Sequence, residues 1–214
     1  MVSSYRSTNN ARFLYASSME SIEGQDTGQD DCAPSRADTP RTRIGCKAAA
    51  QIEAEIAWPQ ARSLVLRYCV TGKIADLRLA PITSPTRAEE LWQHTCFETF
   101  IGSAGNETYY EFNFSPSTRW AAYQFDGYRR GMRVASSISA PAIEVQASPE
   151  RFTLRAALQL DQFSSLPRHV PWRLGLSALI EETNGRKSYW ALAHPPGKPD
   201  FHHPDCFAHE FSPT

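Results

Sequence analysis

From about residue 50 onward, apolar and polar residues alternate with a period of two, and turn residues break the alternation at short intervals. Residues 63–70 (SLVLRYCV) place Leu64, Leu66, Tyr68 and Val70 on one face, the period of a half-buried strand. Thr71-Gly72 is a turn, and 73–79 reads as a second strand. Further strands are predicted over 95–102, 108–115 and 119–125, closed in turn by Ser103-Ala104-Gly105-Asn106, Pro116-Ser117 and Asp126-Gly127. Residues 143–147 and 152–158 read as a hairpin, as do 171–180 and 188–193 around Asn184-Gly185. No long helical periodicity intervenes, and one short helix is expected around 87–92. Strands at this spacing predict an all-β protein, an antiparallel β-sandwich of jelly-roll or immunoglobulin-like type.

The first 47 residues break the pattern. Of the Val, Ile, Leu and Phe set they hold only Val2, Phe13, Leu14, Ile22 and Ile44. So little apolar surface does not offset the entropy of ordering a chain. Residues 1–48 are therefore expected to be a disordered tail, and 49–214 the packed domain. All five tryptophans lie between Trp58 and Trp190, inside that domain.

The richest chemistry lies between residues 91 and 132. Matching apolar positions across 95–102 and 108–115 puts Phe97, Ile101, Tyr110, Phe112 and Phe114 in the core. The opposite face then carries His94, Glu98, Tyr109, Glu111 and Asn113, and a one-residue slip would destroy this match. A face mixing carboxylates, an amide, an imidazole and rings suits a sugar. Rings pack on the C–H face of a pyranose, and polar side chains read its hydroxyls. Trp120 is a candidate stacking ring and Arg130 a candidate partner for a ligand acid. The same residues also fit an ordinary polar sheet face, with Glu98 and Glu111 paired to nearby arginines.

Charge and cysteine usage narrow the classes. The net charge is −1, so no broad basic face is expected and nucleic acid is not an expected partner. No run of about 18 apolar residues exists to span a membrane, and Met1 to Asn10 is too polar for a secretory signal. Five cysteines without a Cys-x-x-Cys pair point to a reducing, cytoplasmic setting.

The runs LWQHTCFETFIG (91–102), YYEFNFSPSTRWAAYQF (109–125) and YRRGM (128–132), with SALIEE (177–182) and SYWALAHPPGKPDFHHPDCF (188–207), resemble the DOMON-like proteins. That family is a β-sandwich related to family 9 carbohydrate-binding modules and to the cytochrome domains of some dehydrogenases. The resemblance implies a ligand-binding module for a sugar or a haem. Some members carry names taken from a cell-wall precursor enzyme, but no glycine-rich phosphate loop follows a strand here.

Other chemistries compete. Haem would use Met132 as one axial ligand, with His94, His194, His202, His203, Lys187 or Lys198 as the other. His202, His203, Cys206 and His209 have donor types that suit zinc, at a spacing that matches no standard signature. Glu98 and Glu111 on adjacent strands resemble the carboxylate pair of a glycosidase, and His94 with Cys96 a nucleophile pair. The loop 194–203 (HPPGKPDFHH) is a second place for binding. The sequence reading is a non-catalytic ligand-binding module for a carbohydrate or amino-sugar, with no cofactor. Its candidate site is His94, Glu98, Tyr109, Glu111, Asn113, Trp120 and Arg130. A haem protein and a partner-binding sandwich are the alternatives; oligomeric state is left open.

Overall fold

A computed structural model describes residues 8–13, 16–17, 48–59 and 62–213. One sheet runs in the order β1 (Thr8–Phe13), β3 (Ala49–Ala57), β4 (Ser63–Gly72), β10 (Arg151–Gln159), β9 (Ala142–Ala147). The other runs β2 (Ala16–Ser17), β12 (Lys187–Ala191), β11 (Trp172–Glu181), β5 (Cys96–Ser103), β6 (Tyr109–Phe114), β7 (Trp120–Phe125), β8 (Arg133–Val134). A last short strand, β13 (His209–Phe211), pairs with the start of β11. Every pairing between these strands is antiparallel. The protein is the expected all-β sandwich.

Alternation explains how the two sheets close on one another. Ile52, Ala54 and Ile56 of β3, Leu64, Leu66, Tyr68 and Val70 of β4, and Phe152, Leu154, Ala156 and Leu158 of β10 face inward. They meet Phe97 and Ile101 of β5, Tyr110, Phe112 and Phe114 of β6, and Trp172 to Ile180 on alternate positions of β11. Phe97 stacks on Phe152 at 5.7 Å and meets the tilted ring of Tyr68 at 5.2 Å, joining the two sheets. The Tyr68 hydroxyl reaches across the core to the Glu98 carbonyl at 2.7 Å and to Thr99 Oγ1 at 2.8 Å. A buried hydroxyl that loses its partner costs about 1–3 kcal/mol. Tyr68→Phe is thus expected to destabilise the protein by about 1–2 kcal/mol, read as a shift of the urea midpoint at constant m-value. An unshifted midpoint would show that the bond adds nothing.

The outer faces of the two sheets differ. Gln51, Glu53, Glu55 and Arg67 make the outside of the five-stranded sheet a solvated polar surface, with Arg67 bonded to Glu55 at 3.4 Å. In the other sheet every residue of β5 and β6 is buried. Loops 86–94, 126–134 and 192–207 lie over its outer face, and a second apolar cluster forms beneath them around Phe100, Tyr109, Tyr123, Phe125, Phe201 and Phe207.

Some expected elements are different in the structure. Residues 73–79 form no strand but a turn of 3-10 helix, Ile74–Asp76, because Ile74 and Leu77 anchor inward at a spacing of three. The expected helix at 87–92 is only the single turn Leu91–Gln93. Strand β3, not predicted, is read directly from the alternation in QIEAEIA. Of the stretch expected to be tail, Thr8–Phe13 pairs with β3 and Ala16–Ser17 with β12. Edge strands are held by backbone bonds, which a count of apolar residues does not register. Residues 18–47 lie outside the described residues.

Candidate functional site

The outer face of the larger sheet is built by register. Glu98 lies opposite Asn113 of β6 on one side and Ser177 of β11 on the other. Phe100 lies opposite Glu111, so the two glutamates sit diagonally on one face, a relation that separates Cα atoms by about 7–8 Å. Tyr109, Glu111 and Asn113 pair in turn with Phe125, Tyr123 and Ala121 of β7. The division into two faces deduced from apolar matching is the observed one.

Above this face is a cavity of about 430 Å³, within the range of small-molecule sites. Glu98 and Glu111 are in its floor; Trp92, Phe125, Tyr189 and Phe201 are in its walls; Arg129, Met132 and His202 also line it. Asn113 Nδ2 donates to Glu111 Oε1 at 2.7 Å, and its Oδ1 accepts from the Cys96 thiol at 3.4 Å. The amide is thereby fixed and Glu111 is held in place. Glu98 is 5% exposed.

Two loops are clasped at the mouth. The Arg129 guanidinium donates to Asp200 Oδ1 at 2.7 Å, and the Tyr128 hydroxyl donates to the other oxygen of the same carboxylate. Arg129 has φ 51° and Gly131 φ 66°, so the turn carrying them doubles back over the sheet. A Cβ at position 131 would collide with the Asp126 carboxylate, so this turn requires glycine. The Arg129 N–H donates to the Tyr109 oxygen at 3.3 Å, which leaves the Tyr109 hydrogen for His202 Nδ1 at 2.8 Å. That donor order sets the tautomer: the His202 ring hydrogen is on Nε2, which faces Glu111 Oε2 at 3.6 Å.

Burial governs the electrostatics. It pushes the Glu98 carboxyl well above the usual carboxylate range, and the charge of Glu111 adds to the effect, while Ser177 and Arg129 oppose it. Glu111 is pushed up to about 7 by burial, against the Asn113 bond and the Arg129 charge. His202 is pushed down to about 4, by burial first and Arg129 second. The imidazole is therefore neutral near pH 7 and brings no charge to the carboxylates.

The structure brings Glu98, Tyr109, Glu111 and Asn113 together on one face as expected, and takes three other candidates away from it. Trp120 pairs with Phe114 and so points into the sandwich, 4% exposed, with the Arg87 guanidinium 4.1 Å from its ring centre. The period-two rule itself excludes it from the Glu111 face, once β7 is registered on β6. Arg130 projects outward to Glu107 at 2.9 Å, 70% exposed; its neighbour Arg129 is the residue in the cavity. His94 is an exposed partner of Glu181 at 2.7 Å, alongside Arg78 at 2.8 Å. Met132, the candidate haem ligand, is half exposed at the mouth of the cavity.

The rings that sequence reasoning missed, Trp92, Phe125, Tyr189 and Phe201, come from four separate segments. Phe125 lies on a strand with rings on both faces, so alternation did not single it out. Phe201 lies in the Pro-rich loop singled out above. Trp92 and Tyr189 carried no distinguishing signal. Among the described residues no three of His, Cys, Asp and Glu are grouped to hold a metal ion. His203 instead caps the turn at Pro204–Cys206, and the Cys206 thiol donates to the Asp200 carbonyl at 3.1 Å.

No family model matches this chain, and no curated protein matches its sequence. Among solved structures, the fold resembles a protein from Bacteroides uniformis ATCC 8492 whose description as carbohydrate-binding is itself provisional. The TM-score is 0.52 at 15% identity, over 72% of this chain and 75% of that one. Two structures of a family 9 carbohydrate-binding module from Caldicellulosiruptor kristjanssonii also align. The one with glucose gives a TM-score of 0.39 at 10% identity, over 69% of each chain. The one with cellotriose gives 0.40 at 13%, over 70% of each. At such identities the likeness to the first concerns the fold alone, and the other two scores carry no argument.

Proposed function

We propose that this chain is a non-catalytic carbohydrate-binding protein of the DOMON-like type, acting in a reducing, cytoplasmic compartment. The observation that carries the reading is the cavity: a floor of two buried carboxyls, one of them fixed by the Asn113 amide behind it, between aromatic walls. A pyranose has two kinds of surface, C–H faces and a hydroxyl rim, and this cavity offers a complement to each. The described cysteines Cys69, Cys96 and Cys206 are free thiols, in keeping with that compartment. The description borne by the Bacteroides protein points the same way.

Catalysis fits the site less well. A glycosidase needs one carboxylate ionised and the other protonated, their pKa values driven apart. Here burial drives both upward, so neither is held as the firmly ionised partner that such an enzyme requires. Haem has one feature in its favour, since Met132 and His202 line the same cavity. Against it, both nitrogens of His202 face other groups, Tyr109 and Glu111. The two carboxyls would also lie against a macrocycle that prefers apolar walls. The ring and the floor are not suited to that cofactor.

The test is calorimetric titration of the full chain with mono- and disaccharides. Trp92→Ala and Glu98→Gln are each expected to weaken binding by about tenfold or more, the scale of one lost stacking or charge-assisted contact, without lowering the melting temperature. Absence of saccharide binding, or binding that neither substitution weakens, would overturn the reading.

A further inference from the structure

The cavity contains more acidic than basic side chains, and the imbalance indicates what it seats. Three carboxyls belong to it or its mouth: Glu98 from β5, Glu111 from β6 and Asp200 from the late loop. One guanidinium faces them, Arg129, and it is already bonded to Asp200 at 2.7 Å. His202 contributes a neutral ring, and the Cys96 thiol beside the glutamates is held protonated by burial. Among the described residues only the Ser177 hydroxyl acts on the Glu98 carboxyl as a donor, and it is not held there in a well-formed hydrogen bond. Glu111 has one oxygen occupied by Asn113 and the other 3.6 Å from His202 Nε2. A carboxyl that is nineteen-twentieths buried and open only toward a cavity calls for a donor arriving from that cavity.

The walls favour the same kind of donor. Trp92, Phe125, Tyr189 and Phe201 surround the floor, and the π-face of such rings carries a negative quadrupole that attracts a cation. Aromatic walls over a carboxylate floor attract a positive charge more strongly than a neutral hydroxyl. Two hydroxyls donating to Glu98 and Glu111 would leave the buried pair either charged and repelling or holding protons. One ammonium carries three donors, enough for both carboxylates together, and supplies the charge that the site lacks.

We propose that the group seated between Glu98 and Glu111 is a protonated amine, so that the preferred ligand is an amino-sugar carrying a free amino group. This rests on the carbohydrate reading above and names its ligand class. On binding, the ammonium replaces the protons that the glutamate pair holds, so the complex forms with release of protons to solvent.

The experiment titrates the full chain at pH 7 with three disaccharides of matched linkage: the glucosamine disaccharide, its N-acetylated form and cellobiose. They differ at one substituent per ring: amine, acetamide or hydroxyl. Each titration is run in two buffers of different ionisation enthalpy, which reports protons released. The expected result is at least tenfold tighter binding of the glucosamine disaccharide than of the other two, with net proton release for it alone. In the Glu98→Gln, Glu111→Gln double variant that preference and that release are both expected to vanish. Cellobiose or the acetylated sugar binding as tightly as the amine would overturn the amine proposal and leave the carbohydrate reading standing. An amine preference that survives in the double variant would overturn the assignment to this pair. Binding of none of the three would overturn both readings.

Discussion

Trp120→Ala is expected to destabilise the protein by about 3–5 kcal/mol, the range for removing a large ring from a packed core, while leaving saccharide affinity unchanged in the molecules that remain folded. The indole lies on the inner face of β7 opposite Phe114. Arg87 lies over it and donates to the carbonyls of Ala122 at 3.3 Å, Ala135 at 3.2 Å and Ile138 at 2.9 Å. The ring thus supports the guanidinium that ties loop 135–138 to β7. Truncation opens a void and removes the surface on which Arg87 rests, two losses that act on the same strand. Urea unfolding gives the stability and calorimetry gives the affinity. A variant of near-native stability with lost binding would place the ring on the ligand side and refute the register of β7. Trp120→Phe, which keeps a ring under Arg87, is expected to recover part of the loss.

That result bears on what can be read from the chain. Alternation in FETFIG and YYEFNF determines which residues share a face, because both strands are long and apolar on one side. The parity of the register then follows, since a one-residue slip would set apolar against polar. WAAYQF gives no such guide. Its alternate sets, Trp120, Ala122, Gln124 and Ala121, Tyr123, Phe125, both contain large rings, because both faces of the sheet are buried at that point. Binary patterning becomes uninformative where a strand lacks a polar side. The cavity walls were hidden for another reason: Trp92 lies about a hundred residues before Tyr189 and Phe201, and only tertiary pairing brings them together. Arg129 and Arg130 are indistinguishable as letters. The left-handed conformation at Arg129 sends the first toward Asp200 and leaves the second at the surface.

Glu111→Gln is expected to gain stability relative to the native protein as pH rises, by about 3 kcal/mol between pH 4 and pH 8. An unfolded glutamate ionises near 4.5, whereas burial holds Glu111 in the fold up to about 7. Below pH 4 both states carry the proton and the residue is neutral toward stability. Between 4.5 and 7 the unfolded chain loses it while the folded chain keeps it, so the native state is progressively disfavoured; above about 7 both are ionised and the penalty is constant. A displacement of that size corresponds to about 3 kcal/mol by linkage. Other groups titrate over the same range. His202, held down to about 4, makes the fold more stable as pH rises toward 6.5, and Asp200 and Glu181, held low by their partners, lose stabilising charge in acid. These contributions are common to both proteins and largely cancel in the difference between them. Glu98 does not cancel: its upward shift draws on the Glu111 charge, and its response adds to the difference in the same direction. Glutamine keeps an oxygen for the Asn113 donor, so the comparison changes charge with little change of packing. Urea unfolding of both proteins at several pH values provides the curve. A gap between them that stays level from pH 4 to pH 8 would mean that Glu111 titrates in the fold as it does in water, and that the cavity floor is not the buried acid pair that the proposed ligand capture requires.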